Sequence, residues 1–161
     1  LHGGGQERGL RSGTENVAGL VGLARALELA CLDCGQRAVR LRGLRDRLVQ
    51  GILGQLPGSH LTGHPDLRLP GMASFVFEGA EGESILLQLD RKGICASTGS
   101  ACSTATLEPS HVLKALNLPL KLAHGSLRLS LGRETTEEQV DRVVTEVVAA
   151  VRKLRSLGPR S

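Results

Sequence analysis

The chain has 161 residues, 40% of them hydrophobic and 22% charged. That is enough for one ordinary domain with a real core, which excludes a disordered tail. Its net charge of +4 comes from sixteen arginines and four lysines spread along the chain, often beside Asp or Glu, and Phe75 and Phe77 are the only aromatics. Base-stacking platforms are therefore almost absent, and no nucleic-acid partner is expected. No run approaches the ~18 consecutive apolar residues of a membrane-spanning helix. The opening LHGGGQERGL lacks the basic-then-apolar order of a secretory signal, so a cytoplasmic protein without a membrane partner is expected.

Residues 1–16, LHGGGQERGLRSGTEN, read as a glycine-rich, charged loop without apolar periodicity. Three glycines that close nothing behind them suggest that the chain opens inside a larger domain. From Val17 to Ile52 apolar residues recur at threes and fours, among them Leu20, Ala24, Leu27, Cys31, Cys34, Ala38, Leu41 and Leu48. This predicts a long connecting helix or pair of helices, a strut between two bodies, with a bend or break near Gly35. Residues 57–71, PGSHLTGHPDLRLPG, read as loop with at most one short strand.

Met72–Phe77 is apolar and bounded by glycines, which predicts a buried strand. Glu81–Asp90 reads as a helix and Gly93–Ala96 as a short strand. STGSACSTATLE (97–108) has no bulk to anchor it and reads as a mobile loop. Pro109 suits the first turn of a helix reaching Leu116. Ser126–Leu131 alternates small or charged residues with leucine, a half-exposed strand with Arg128 on its polar face. Thr135, Thr136, Glu138 and Gln139 offer a capping box for a last helix, whose Val140, Val143, Val144, Val147, Val148, Val151 and Leu154 form one apolar stripe. Strands alternating with helices predict an α/β or α+β body over about 57–155.

Four cysteines without a secretory signal argue against a disulfide framework, so each is read in its own setting. Cys31 and Cys34 form a CxxC on the apolar stripe and read as core filling, with a redox pair or half of a zinc site as the alternatives. Cys95 lies in Gly-Ile-Cys-Ala and reads as structural. Cys102, among Thr98, Gly99, Ser100, Ala101, Ser103 and Thr104, reads as an exposed thiol, either incidental or a nucleophile. With an ordinary pKa near ~8.5 it needs an activating partner, and His111 and His124 qualify by residue type. Gly3–Gly5 and Gly13, with Ser12, Thr14, Arg8 and Arg11, can let backbone approach an anion or make a tight turn. The order is neither a P-loop nor GxGxxG. Arg128 suits bidentate binding of a carboxylate, or is a plain surface arginine.

Three stretches in order, GGGQERGLRSGTEN (3–16), GICASTGSACSTATLEPSHVLKAL (93–116) and AHGSLRLSLGRETTEEQVD (123–141), resemble the cysteine desulfurases. These are class V, fold-type I enzymes dependent on pyridoxal 5'-phosphate (PLP), and the likeness runs over nearly the whole chain. The resemblance implies transfer of sulfur from L-cysteine to a loop cysteine as a persulfide, leaving L-alanine. The sulfur then passes to an acceptor such as an iron–sulfur scaffold or another thio-cofactor protein. Cys102 in SACST matches the persulfide-forming nucleophile. Thr14 in RSGT matches the threonine that reaches the PLP phosphate across a homodimer, and Arg128 in SLRLS matches the arginine that grips the substrate carboxylate.

The same resemblance implies a division into the end of a large PLP-binding domain (1–16), connecting helices (17–56) and a small C-terminal α/β domain (57–161) with the persulfide loop at 97–108. The family's Schiff-base lysine lies upstream of the GGGQE loop, and Lys92, Lys114, Lys121 and Lys153 do not resemble it. The chain therefore reads as the C-terminal part of the enzyme, inactive alone, because the chemistry needs that amine. Selenocysteine lyases are close relatives with a similar glycine opening and rank second, since SACSTATLEPSHVL looks like the desulfurase loop. A non-enzymatic sulfur-carrier or interaction module is the third reading.

Overall fold

The structure, a computed structural model, describes residues 1–98 and 110–157. The chain divides into two compact units, Leu1–Arg37 and the part from Ala38 onward. In the first, the loop of residues 1–16 leads into helix α1, Val17–Leu32. Asn16 caps that helix by accepting the Gly19 N–H on Oδ1 at 3.0 Å, which satisfies one of the open donors of the first turn.

Helix α2, Cys34–Leu53, follows directly. The break falls at Asp33 (φ −123°, ψ 16°), and Gly35, where the sequence suggests a bend, lies inside α2. Arg37 bridges the break, binding the Asp33 carboxylate at 2.5 Å and the Ala30 carbonyl at 2.6 Å. Cys31 and Cys34 are both exposed, against their reading as core filling. Helix α1 buries no residue and α2 none before Leu44, so no continuous buried stripe runs through both. Leu20, Val21, Leu23 and Leu27 of α1 are all exposed.

In the second unit a three-stranded antiparallel sheet has the order β1 (Ser59–Leu61), β2 (Met72–Phe77), β3 (Ser126–Ser130). Strand period two sends Ala73, Phe75 and Phe77 of β2 and Leu127 and Leu129 of β3 to one face. There they meet Leu44, Leu48 and Ile52 of α2, Ile85 and Leu89 of α3 (Gly82–Asp90), and the valines of α6 (Glu137–Leu157). The α6 capping box forms as predicted. The Thr136 N–H donates to Gln139 Oε1 at 3.1 Å, and the Gln139 N–H donates to Thr136 Oγ1 at 3.3 Å. The valine stripe is buried at Val140, Val144, Val147, Val148 and Val151, with Val143 and Leu154 packed at its edge.

Val76 points to the opposite face and is fully buried. That face also receives two short helices, α4 (His111–Ala115) and α5 (Leu120–Ala123), the second preceded by Pro119 at its N-cap and not foreseen from the sequence. Residues 93–96 do not form the predicted strand. Only Ser97 pairs, in a single antiparallel bridge with Arg128. Ile94 is buried and Cys95 exposed, so Cys95 is not the core residue that Gly-Ile-Cys-Ala suggested. Among the described residues no helix is long and apolar enough to cross a membrane.

Candidate functional site

The face of the sheet away from the main core carries the polar partners of β3. The alternation that sends Leu127 and Leu129 inward puts Ser126 and Arg128 on the other side, with Arg128 opposite Ser74 in register. Arg128 is exposed and makes no ion pair with any described residue. Beside it opens a cleft of about 490 Å³. Thr62, Ser74, Thr98, Ser110 and Ser126 line it together with Met72, Leu116, and Leu113 and His111 of α4, and no Asp or Glu stands among its described lining residues.

Each wall is held by specific bonds. Thr62 donates its hydroxyl to the Ser74 carbonyl at 3.2 Å. Arg68 anchors the preceding loop, with Nη2 on the Thr62 carbonyl and Nε on the His64 carbonyl, both at 2.8 Å. Burial, together with the neighbouring Arg45 guanidinium, pulls Arg68 below the usual arginine value. Ser110 caps α4 by accepting the Val112 N–H. Ser126 donates its hydroxyl to the Thr98 carbonyl at 2.7 Å in buried surroundings.

A largely apolar cleft with hydroxyl-bearing residues, one guanidinium and no carboxylate among its described lining favours a small ligand carrying a carboxylate. Arg offers such a group two parallel N–H donors, and the hydroxyls tolerate a polar remainder. The sequence pointed to Arg128; it did not single out Ser126, Thr62 or Ser74. Ser126 was legible in the Ser-Leu-Arg alternation that places it on the arginine's face. Thr62 and Ser74 depend on strand register, which local pattern does not reveal.

Thr14 belongs to the other unit and is exposed. Its loop is cross-tied: Ser12 Oγ donates to the His2 carbonyl at 3.0 Å, the Gly13 N–H to Gln6 Oε1 at 3.3 Å, and Arg11 Nη1 to the Gly13 carbonyl at 2.8 Å. Glu7 and Arg8 take positive φ values of 50° and 55°, which turns the chain sharply between Gly5 and Gly9. Cys102 lies outside the described residues, as do Pro109 and the rest of the predicted loop beyond Thr98. His111 lines the cleft, whereas His124 caps α5 and its carbonyl accepts the Gly82 N–H. Among the described residues no group of three or more His, Cys, Asp or Glu side chains is arranged to hold a metal, so Cys31 and Cys34 find no further ligands there.

Residues 3–143 match the aminotransferase class-V family model, and the chain belongs to that family. Over 159 residues it is 55% identical to the cysteine desulfurase IscS of Methanosarcina thermophila, covering 99% of this chain and 39% of that protein. It is 50% identical to the cysteine desulfurase NifS of Azotobacter vinelandii, covering 99% of this chain and 40% of the relative. A solved NifS-like protein superposes with a TM-score of 0.81 at 35% identity, over 95% of this chain and 38% of that one. The fold is thus the mixed helix and sheet architecture of the NifS-like structures. The chain spans about two fifths of the length of the relatives it matches.

Proposed function

We propose that this chain forms the substrate-carboxylate and sulfur-accepting part of a PLP-dependent cysteine desulfurase, working in the cytoplasm as a homodimer. The observation that carries the reading is the cleft beside Arg128, whose described lining holds that guanidinium and no carboxylate, at the foot of the segment that leads to Cys102. The identity of about half the residues to curated cysteine desulfurases supports the same reading. We assign residues 1–16 to the end of the PLP-binding domain, 17–56 to the connection and 57–161 to the small domain.

The donor set suits one edge of PLP. Thr14 presents an exposed hydroxyl in a loop pinned by its own cross-bonds, a donor of the kind a phosphate takes. Of the four lysines, Lys92 is committed to Glu146 at 3.6 Å, and we assign the cofactor's covalent lysine to a part of the protein outside this sequence. When bound, PLP supplies an electron sink that weakens the carbon–sulfur bond of the substrate. This chain's residues do the rest. Arg128 holds the L-cysteine carboxylate, and Thr14 completes the phosphate site of a second copy.

Cys102, as thiolate, attacks the substrate sulfur. A sulfur–sulfur bond forms, the carbon–sulfur bond breaks, and its electron pair stays with the carbon skeleton, which takes up a proton to become L-alanine. In sum a thiol and L-cysteine give a persulfide and L-alanine, so no external oxidant is required. The persulfide is then passed to an acceptor such as an iron–sulfur scaffold protein. The test is Cys102→Ala in the PLP-loaded protein. Persulfide and alanine formation from L-cysteine should cease while the cofactor's absorbance is retained. Continued sulfur transfer, or loss of the cofactor on this substitution, would refute the assignment.

A further inference from the structure

Strand β3 is hydrogen-bonded along both of its edges at one point. On one side it pairs with β2, where Arg128 stands opposite Ser74. On the other, Arg128 turns its backbone toward Ser97: the Arg128 N–H donates to the Ser97 carbonyl at 2.6 Å, and the Ser97 N–H donates to the Arg128 carbonyl at 3.1 Å. One residue further, the Ser126 hydroxyl donates to the Thr98 carbonyl at 2.7 Å. Both Ser126 and Thr98 are more than nine-tenths buried. The chain is therefore tied down by backbone at Ser97 and by a side chain at Thr98, immediately before the stretch that contains Cys102.

Cys102 is four residues beyond Thr98. Whatever conformation those residues take, the chain can carry the Cys102 Cα no further than about 14 Å from the Thr98 Cα. Where the thiol can go is thus set by how firmly Thr98 is held, and the substrate's position is set by Arg128 on the same strand. Resting on the desulfurase reading above, we propose that Ser126 is a positioning residue for sulfur transfer. Its bond to the Thr98 carbonyl fixes the root of the Cys102 segment to the strand that carries the carboxylate-binding arginine. With the Ser126 bond made, the root of the Cys102 segment and the carboxylate-binding Arg128 are fixed to one strand, which limits the space open to the thiol and raises its effective concentration toward the substrate sulfur.

The test compares Ser126→Ala, Ser126→Thr and Cys102→Ala in the PLP-loaded protein. Single-turnover persulfide formation from L-cysteine, KM, and amide hydrogen exchange at Ser97 are measured for each. Ser126→Ala leaves a buried carbonyl without its donor and should slow persulfide formation by about tenfold. KM should stay within about twofold, because Arg128 still holds the carboxylate. Exchange at Ser97 should quicken, and Ser126→Thr, which keeps the hydroxyl, should restore both readouts. A wild-type transfer rate in Ser126→Ala would overturn the proposal. So would a parallel loss of KM and melting temperature that threonine fails to rescue, since that marks a packing role only. If Cys102→Ala still forms persulfide, the desulfurase reading itself falls and the positioning role with it. If Cys102→Ala is inert while Ser126→Ala is normal, the positioning role alone is wrong.

Discussion

Gly82 opens α3 at a point where helix and sheet touch through their backbones. A methyl group added there would stand 2.2 Å from the Ser126 carbonyl oxygen and 3.2 Å from that of His124, whereas ordinary contacts begin at 3.4 Å. The neighbours are backbone atoms of β3 and of the turn before it, and the Gly82 N–H is itself bound to the His124 carbonyl at 2.9 Å. To accept Gly82→Ala, α3 must therefore withdraw by over an ångström, carrying Ile85 and Leu89, both at or near complete burial. Overpacking of this kind costs about 1–3 kcal/mol, and the upper half of that range applies because neither neighbour is a side chain that can rotate away. For a chain of this size, about 2 kcal/mol corresponds to a melting temperature lower by about 4–8 °C.

Gly43 is the control. It lies on an exposed face of α2, and an added methyl there meets nothing within 4 Å. The same Gly→Ala change should stabilise by up to about 1 kcal/mol through helix propensity. Urea unfolding of the two variants beside the parent measures both effects. Opposite signs are expected. A Gly82→Ala midpoint equal to the parent's would refute the argument that α3 is seated on β3 by backbone contact.

Arg128→Lys keeps a charge but loses the two-pronged donor, so KM for L-cysteine should rise about tenfold or more with a smaller change in kcat; steady-state kinetics at saturating cofactor decide this, and an unchanged KM would make Arg128 a surface residue. Thr136→Ala removes the cap of α6 and should cost about 1 kcal/mol, read as a shift in the urea midpoint. Its hydrogen bond to Arg47, reinforced by that guanidinium's charge, holds the Asp141 carboxyl below its ordinary value, and Arg47 is raised in return. Because the folded-state value is the depressed one, the stabilisation is fully present above the unfolded value near ~3.9 and disappears as pH falls through the folded value. The melting-temperature difference between parent and Asp141→Asn should thus be constant from neutral pH down to about 5 and shrink below 4. It should also diminish in high salt, since the pair is exposed.

The parts of the fold that the sequence revealed are those where local chemistry and tertiary packing agree. The apolar run Met72–Phe77 makes the central strand, and Thr136 with Gln139 makes the reciprocal cap where the spacing placed it. The misplaced readings have a common cause. Cys31 and Cys34 looked buried because apolar residues at threes and fours were read as one core-facing stripe, whereas α1 buries none of its residues and α2 none before Leu44. A glycine inside a helix costs only about 1 kcal/mol, so Gly35 was the weaker breaker. Cys95 looked buried because four small or apolar residues in a row conceal a period of two, with Ile94 in and Cys95 out. Of the site, Arg128 was legible from its strand alternation. The cleft was not, since its walls come from segments up to more than sixty residues apart, brought together by the register of β1, β2 and β3 and by the bonds of Ser97 and Thr98 to β3.

The alternation along β3 also constrains how this part of the protein can vary over evolutionary time. Removing or inserting one residue inside Ser126–Ser130 would turn Arg128 toward the phenylalanine layer and bring a leucine out beside Ser74. The guanidinium's place at the cleft and the packing of the core would be lost in a single event. Point substitutions on the cleft side escape that penalty, because each changes one face only. Descendants of this chain can therefore retune the cleft by exchanging side chains but not by changing the length of the strand, and viable insertions should be confined to the connections between strands.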